Sequence, residues 1–159
     1  MKSMYRVECD PDVALVSSLT SVPQRRIMHH QGKYELLRKL LKQKDSVGLI
    51  DKDPSSIQPT FYLQRFQVLS YSDSDGIEIL HHNQGHNRLI VLYPRLEEWM
   101  IESARKANVS LTNYNLPTTG NELHEIINFK IRRFEELLND LKQSSERVKI
   151  LKRRLTEPF

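Results

Sequence analysis

One segment constrains the fold of this chain more than any other: residues 47–53, with the sequence VGLIDKD. Its first four residues carry no polar side chain, which is typical of a strand in a parallel sheet covered on both faces. Open α/β sheets bind ligands beyond the carboxyl ends of such strands, and there Asp51 and Asp53 stand one residue apart. Two neighbouring carboxylates suit Mg²⁺, which prefers oxygen ligands. An Asp-x-Asp-Pro sequence also favours a solvated turn, so the residues allow both interpretations.

The chain before this segment alternates short strands with helices. Strands are predicted over residues 4–9 and 25–30, and the helix between them is expected to have Asp10 as its cap and Pro11 at its first position. Leucines at helical spacing predict a second helix over residues 34–42. The order β-α-β-α-β indicates an α/β fold with a doubly wound, mainly parallel sheet.

The next segments complete this domain. Two strands are predicted over residues 66–70 and 76–81, on either side of a turn rich in Ser, Asp and Gly. Another buried strand is predicted over residues 87–94 and a helix over residues 95–106. We therefore predict one α/β domain over residues 1–120.

The remaining part is predicted to form a C-terminal amphipathic helical extension over residues 121–159. Asn121 is expected to cap one long amphipathic helix over residues 123–141, because apolar residues recur there at three- and four-residue spacing. Ser144 and Ser145 then favour a break in the helix. The wide apolar stripe predicts packing against the sheet, and a homo-oligomer or partner surface is the alternative.

Positive charge is concentrated in a basic tail that starts at about residue 142. Residues 142–159 contain six Lys and Arg and two Glu, a balance of +4 that equals the formal net charge of the whole chain. A local basic cluster indicates contact with phosphates, and a solvated helix face is the alternative. The candidate nucleic-acid-binding residues are Lys149, Lys152, Arg153 and Arg154.

The composition favours a cytoplasmic protein. A single cysteine, Cys9, excludes an intrachain disulfide and suits a reducing compartment. No apolar run approaches the roughly 18 residues that a membrane span requires, and the first residues lack the apolar core of a signal peptide. We therefore expect no membrane association.

The polar residues that carry chemistry stand at the ends of predicted strands. Glu8 ends the first strand, and Asp51 and Asp53 follow the third. Neighbouring parallel strands present their carboxyl ends at the same edge of a sheet, so these three carboxylates are expected to lie together. Crowded carboxylates repel one another, and they either hold a proton or bind a cation.

This ordered set resembles the Toprim catalytic domain of topoisomerases, primases and overcoming-lysogenization-type nucleases. Residues 92–100, with the sequence LYPRLEEWM, are similar to a Pro-x-Leu-Glu-x-Trp motif in small Toprim-like bacterial proteins, several of which look like components of phage-defence systems. The resemblance covers roughly residues 5–104. It departs from the family pattern at Cys9, where many Toprim domains have glycine, and at Pro54.

The resemblance implies a nuclease that depends on Mg²⁺ or Mn²⁺, with a role in antiphage defence. Glu8 matches the family's metal ligand or general acid-base group, and Asp51 and Asp53 match its metal-binding pair. Glu97 is implied as a further metal-binding acid. These matches nominate Glu8, Asp51 and Asp53 as catalytic residues, with nucleic acid as the substrate and DNA favoured over RNA.

Two other classes of function fit the same sequence. In one, the protein is a non-catalytic interaction subunit whose C-terminal helices dock a partner ATPase. In the other, it is a nucleic-acid-binding module that needs no metal. Metal binding through the carboxylates would separate the nuclease from both.

Overall fold

The computed structural model describes residues 3–159. Its strands are β1 (Met4–Val7), β2 (Ile27–His29), β3 (Ser46–Asp51), β4 (Gln67–Ser72), β5 (Ile77–His82) and β6 (Asn87–Leu92). Its α-helices are α1 (Asp10–Thr20), α2 (Lys33–Lys42), α3 (Thr60–Leu63), α4 (Leu96–Lys106), α5 (Gly120–Ile126), α6 (Ile131–Ser144) and α7 (Glu146–Thr156). Single 3₁₀ turns cover Gln24–Arg26, Leu111–Tyr114 and Ile127–Phe129.

The strands form one six-stranded sheet with the order β2-β1-β3-β6-β5-β4. The first four of these strands run parallel, whereas β5 is antiparallel to both β6 and β4. The structure therefore confirms an α/β fold with a mainly parallel sheet. Its antiparallel part is the predicted pair of strands around the turn before Ile77.

Helices cover both faces of the sheet, and the side chains of each buried strand alternate between the two cores that result. In β3, Val47 and Leu49 belong to the larger core with α1, α4, α6 and α7, whereas Ile50 belongs to the smaller core with α2. This arrangement explains the apolar run that the sequence shows. Gly48 lets α2 approach closely, since a Cβ at this position would lie 2.9 Å from Leu40 Cδ2.

Two predicted helix starts are wrong by one or two residues. Cys9, not Asp10, is the N-cap of α1, because the Cys9 carbonyl already accepts the Val13 amide at 3.1 Å. Thr119, not Asn121, caps α5, and its hydroxyl accepts the Glu122 amide at 3.4 Å.

The single long helix predicted over residues 123–141 is also wrong, since the structure divides it into α5 and α6. The backbone leaves the helical conformation at Lys130, where φ is −129° and ψ is 34°. Leu123, Ile127 and Phe134 are nevertheless all buried, so the apolar spacing continues across the break and conceals it. The predicted break near Ser145 is confirmed, because the Ser145 hydroxyl accepts the Val148 amide at the start of α7.

The C-terminal helices pack on the sheet with their apolar residues in the larger core. Fully buried members from this part include Phe134, Leu137, Leu138, Leu141, Val148 and Leu151. Packing, not a free apolar surface, is therefore the role of the predicted stripe. No helix within residues 3–159 is long and apolar enough to cross a membrane.

Arg88 fixes the carboxyl end of α7 to the sheet. Its guanidinium is buried and donates hydrogen bonds to the carbonyls of Arg154, Glu157 and Pro158 at 2.8–3.0 Å. A cation at a helix C-terminus satisfies carbonyls that have no partner within the helix. Arg88 stands near the start of β6, so this end of α7 lies near the edge of the sheet opposite the carboxyl ends of β1 and β3.

Trp99 joins α4, α7 and the turn before β5. Its ring is fully buried, and its Nε1 donates to the Asp75 carbonyl at 2.7 Å. The Arg147 guanidinium lies 5.2 Å from the ring centroid. Gly76 has a φ of 65°, a left-handed conformation that favours glycine. A Cβ at this position would lie 2.8 Å from Trp99 Cδ1, so there is also no room for a side chain.

Candidate active site

The structure brings Glu8, Asp51 and Asp53 to one cavity at the carboxyl edge of the sheet. Glu8 directly follows β1, and Asp51 ends β3, its parallel neighbour. The cavity has a volume of about 380 Å³, and Lys33 and Tyr34 from the start of α2 also line it. This edge is the ligand-binding position expected for an open α/β sheet.

Glu8 is a half-buried acid beside other acids. Burial, together with the negative charges of Asp12 and Asp51, raises the pKa of its carboxyl to about 8. Its backbone amide donates to Asp12 Oδ2 at 3.3 Å, and its carbonyl is 2.7 Å from His29 Nε2. At neutral pH without a cation, Glu8 is therefore mainly protonated.

Asp12 is a site residue that the sequence analysis missed. It lies in the first turn of α1 and is 6% exposed. Burial raises its pKa to about 7, and the charge of Asp51 raises it as well. The only signal was its position four residues after Glu8, and acids are so common in the first turn of a helix that this position is not distinctive.

Lys33 supplies a positive charge among these acids. Its Nζ lies 3.6 Å from Asp51 Oδ1, and it donates to the Lys52 carbonyl at 3.1 Å. Asp51 Oδ2 also accepts the Leu96 amide at 3.3 Å. Burial raises the pKa of Asp51, while the Leu96 amide and Lys33 act in the opposite direction. Lys33 and the Leu96 amide thus orient the Asp51 carboxylate, one at each oxygen.

Asp53 occupies a turn at the mouth of the cavity. Its φ is 40°, a left-handed conformation that Asp tolerates better than most residues. Asp53 Oδ1 accepts hydrogen bonds from the Ser55 hydroxyl at 2.6 Å and the Ser55 amide at 3.3 Å. The Ser55 hydroxyl is the main cause that lowers the pKa of Asp53. Asp53 therefore has the turn geometry that its sequence favours and also faces the cavity.

Glu97 lies in the first turn of α4 and is buried near Asp12 and Asp51, whose pKa values its charge raises. Its Oε1 is 2.9 Å from His124 Nδ1, whereas its buried Oε2 has no hydrogen-bond partner. The sequence analysis missed His124, because this residue comes from α5 and carries no local signal. Glu97 lies behind the cavity and is not among the residues that line it.

The carboxylates fit a magnesium ion by chemistry and only partly by position. Within residues 3–159, no three His, Cys, Asp or Glu side chains are grouped closely enough to hold one metal ion. Mg²⁺ usually takes only one or two protein carboxylates and completes its shell with water and phosphate oxygens. Oxygen donors around an open cavity match that mode of binding, in which the substrate supplies the missing ligands.

The four candidate cations of the basic tail do not join this site. Lys149, Lys152 and Arg153 project from α7 into solvent, and Lys149 lies 3.2 Å from Glu146. Arg154 is half-buried. None of these four residues lines the cavity.

Comparisons of this chain with models of known families, with curated proteins and with solved structures found no significant match.

Proposed function

We propose that this protein is a Toprim-like nuclease, or the nuclease subunit of a larger assembly, that hydrolyses nucleic-acid phosphodiesters with Mg²⁺ or Mn²⁺. The observation that carries the proposal is the convergence of Glu8, Asp51 and Asp53 with Lys33 on one cavity at the carboxyl edge of the sheet. The resemblance to small Toprim-like bacterial proteins extends the proposal to antiphage defence, with DNA as the favoured substrate.

Each residue has a distinct part in this reaction. Asp51 and Asp53 would hold the metal, and water and phosphate oxygens would complete its shell. When bound, the metal supplies positive charge that stabilises the developing charge on the phosphate. Lys33 adds a fixed cation beside Asp51. Glu8 would move a proton to or from the attacking or departing oxygen.

Asp51→Asn should abolish most metal-dependent cleavage while the fold is kept. The substitution retains the shape of the side chain and removes the charge that attracts the cation. Changing a residue that only supports a metal ligand costs 10- to 100-fold, so loss of a ligand should cost at least about 100-fold in rate. The measurement is cleavage of single-stranded and duplex DNA with Mg²⁺ or Mn²⁺.

Asp140→Asn is the matched control for this experiment, because Asp140 is exposed on α6 and lies outside the cavity. It should cleave at the wild-type rate. A wild-type protein that cleaves no nucleic acid with any divalent metal, alone or with a partner ATPase, would overturn the nuclease proposal.

The edge strand β4 favours a second candidate, a non-catalytic interaction subunit. Val68, Leu69 and Tyr71 on this strand are 52–63% exposed, and an apolar sheet edge is a ready surface for another chain. This surface differs from the one that the sequence suggested, because the C-terminal helices bury their apolar residues in the protein itself. The cleavage assay separates the two candidates.

The basic tail remains the proposed nonspecific contact with the nucleic-acid backbone. Replacing the four candidate binding residues of the tail with Gln should flatten the dependence of log affinity on log salt by roughly one unit for each phosphate that is no longer neutralised. Arg132→Gln on α6 is the control, since it removes an exposed cation outside the tail. Equal salt slopes for wild type and the tail variant would reassign this surface to protein contact. The tail variant comprises K149Q, K152Q, R153Q and R154Q.

A further inference from the structure

Exposed aromatic rings stand at the rim of the carboxylate cavity. Tyr34 lines the cavity and is 62% exposed. Its ring centroid lies 4.9 Å from that of Tyr62, which lies 5.2 Å from that of Phe61, and both pairs pack edge to face. Phe61 is 66% exposed. We call Tyr34, Phe61 and Tyr62 the aromatic rim.

The aromatic rim is held in place by the loop between β3 and β4. Tyr62 packs against the smaller core, which fixes α3 beside α2. Gln58 Nε2 donates to the carbonyls of Lys52 at 2.6 Å and Asp53 at 3.1 Å, so the same loop is tied to the residues of the cavity. The rings therefore have a defined position relative to the carboxylates before any ligand binds.

Arg38 and Arg65 lie near Tyr62. The hydrogen bond with Tyr34 raises the pKa of the Tyr62 hydroxyl, and the nearby charges of Arg38 and Arg65 oppose that change. Lys33 lies on the cavity side of Tyr34. Exposed rings next to cations form the surface on which proteins bind single-stranded nucleic acids, because the rings stack on bases and the cations attract the backbone.

We propose that the aromatic rim binds unpaired bases, so that the carboxylate cavity acts on single-stranded nucleic acid or on single-stranded ends and flaps. In an intact duplex the base faces are covered by their neighbours and offer no surface to these rings. The inference names the substrate class for the nuclease proposed above and rests on that function only for the cleavage step. Binding by the rim is a separate property.

The test measures the fluorescence anisotropy of a labelled single-stranded oligothymidine and of a duplex of equal length, in EDTA so that nothing is cleaved. Wild type should bind the single strand more tightly than the duplex. Tyr34→Ala and Phe61→Ala should each weaken single-strand binding roughly tenfold, because stacking contributes about 1–3 kcal/mol per base and 1.4 kcal/mol is tenfold. Tyr34→Phe and Phe61→Tyr retain the rings and should retain the affinity.

Phe129→Ala is the matched control, since Phe129 is 87% exposed and lies outside the aromatic rim. It should bind like wild type. The ring variants should also keep the wild-type salt slope, because every cation that faces a phosphate is retained. Thermal melts establish that the variants are folded, which is expected because the substituted rings are mostly solvent-exposed.

Several outcomes would overturn the inference: no oligonucleotide binding, equal binding of duplex and single strand, or alanine variants of the rim that bind like wild type. Absence of cleavage bears on the proposed function alone. Suppose that the aromatic rim is needed for binding in both wild type and Asp51→Asn, but that wild type cleaves nothing with any divalent metal. The rim inference then stands and the nuclease proposal falls.

Discussion

Protonation of Glu8 as the pH falls from about 8 to about 5 should contribute roughly 3 kcal/mol to the stability of the metal-free protein. Most proteins with ion-paired carboxylates change in the opposite direction, because acid removes their favourable charges. Here the charged forms of Glu8 and Asp51, which line the cavity, are disfavoured. The measurement is the free energy of unfolding by urea at a series of pH values, with EDTA present.

The direction of this pH effect follows from the pKa of Glu8 in the folded and the unfolded protein. Burial and the charges of Asp12 and Asp51 raise this pKa from 4.5 to about 8 on folding. Between these two values the folded protein keeps a proton that the unfolded chain has lost, so stability falls as the pH rises. Asp12, raised from 3.8 to about 7, acts in the same direction over a lower range.

Glu8→Gln should remove the part of this pH dependence that Glu8 contributes, because an amide cannot ionise. A divalent cation should have a similar effect on wild type at about pH 8, since bound positive charge relieves the repulsion among the carboxylates. Glu125→Gln, at an exposed acid on α5, should leave the dependence unchanged. A Glu8→Gln variant whose free energy of unfolding changes between pH 5 and pH 8 as that of wild type does would contradict this account of the cavity.

Trp99→Ala should cost about 3–5 kcal/mol of stability, as large-to-small substitutions of buried aromatic residues do. The ring has no exposed area, and three separate parts of the chain close around it, so the cavity left by its removal has little means to collapse. The buried Arg147 guanidinium would also lose the ring beside it. Urea unfolding gives the free-energy difference directly.

Trp99→Phe is the informative comparison, because it keeps much of the apolar volume but removes the Nε1 donor to the Asp75 carbonyl. Its cost should lie well below that of Trp99→Ala, near the roughly 1–3 kcal/mol of a buried acceptor left without its donor. Equal costs for the two variants would show that the hydrogen bond, not the packing of the ring, dominates at this position.

The sequence predicts the architecture well because the signals for it are local and repeated. Apolar strands such as residues 47–50 alternate with helices of amphipathic spacing, and apart from α3 and the divided helix over residues 123–141 the structure has strands and helices in the predicted order. The ends of helices are predicted less well. The break between α5 and α6 is hidden in the sequence because Leu123, Ile127 and Phe134 keep one apolar spacing on either side of it.

The candidate site is predictable only as far as the strands determine it. Glu8 and Asp51 follow neighbouring parallel strands, so their common edge follows from the order of elements. Asp12 and His124 reach the acids from helices, and their roles depend on side-chain directions and on how α5 packs against α4. The aromatic rim is similar, since Tyr34 and Phe61 are ordinary surface residues until α2 and α3 are placed side by side.

The bond between the Tyr5 hydroxyl and the Leu155 carbonyl has a consequence for the kinetics of folding. It joins residues 150 positions apart, at 2.9 Å, and the buried Arg88 likewise finds its acceptors more than 60 positions later. Such contacts form only after large loops have closed, and the entropy of loop closure slows folding when native contacts are distant in sequence. Residues 3–159 contain seven α-helices, and helical proteins usually fold fast. This chain should nevertheless fold slowly, as proteins do whose sheets pair strands distant in sequence.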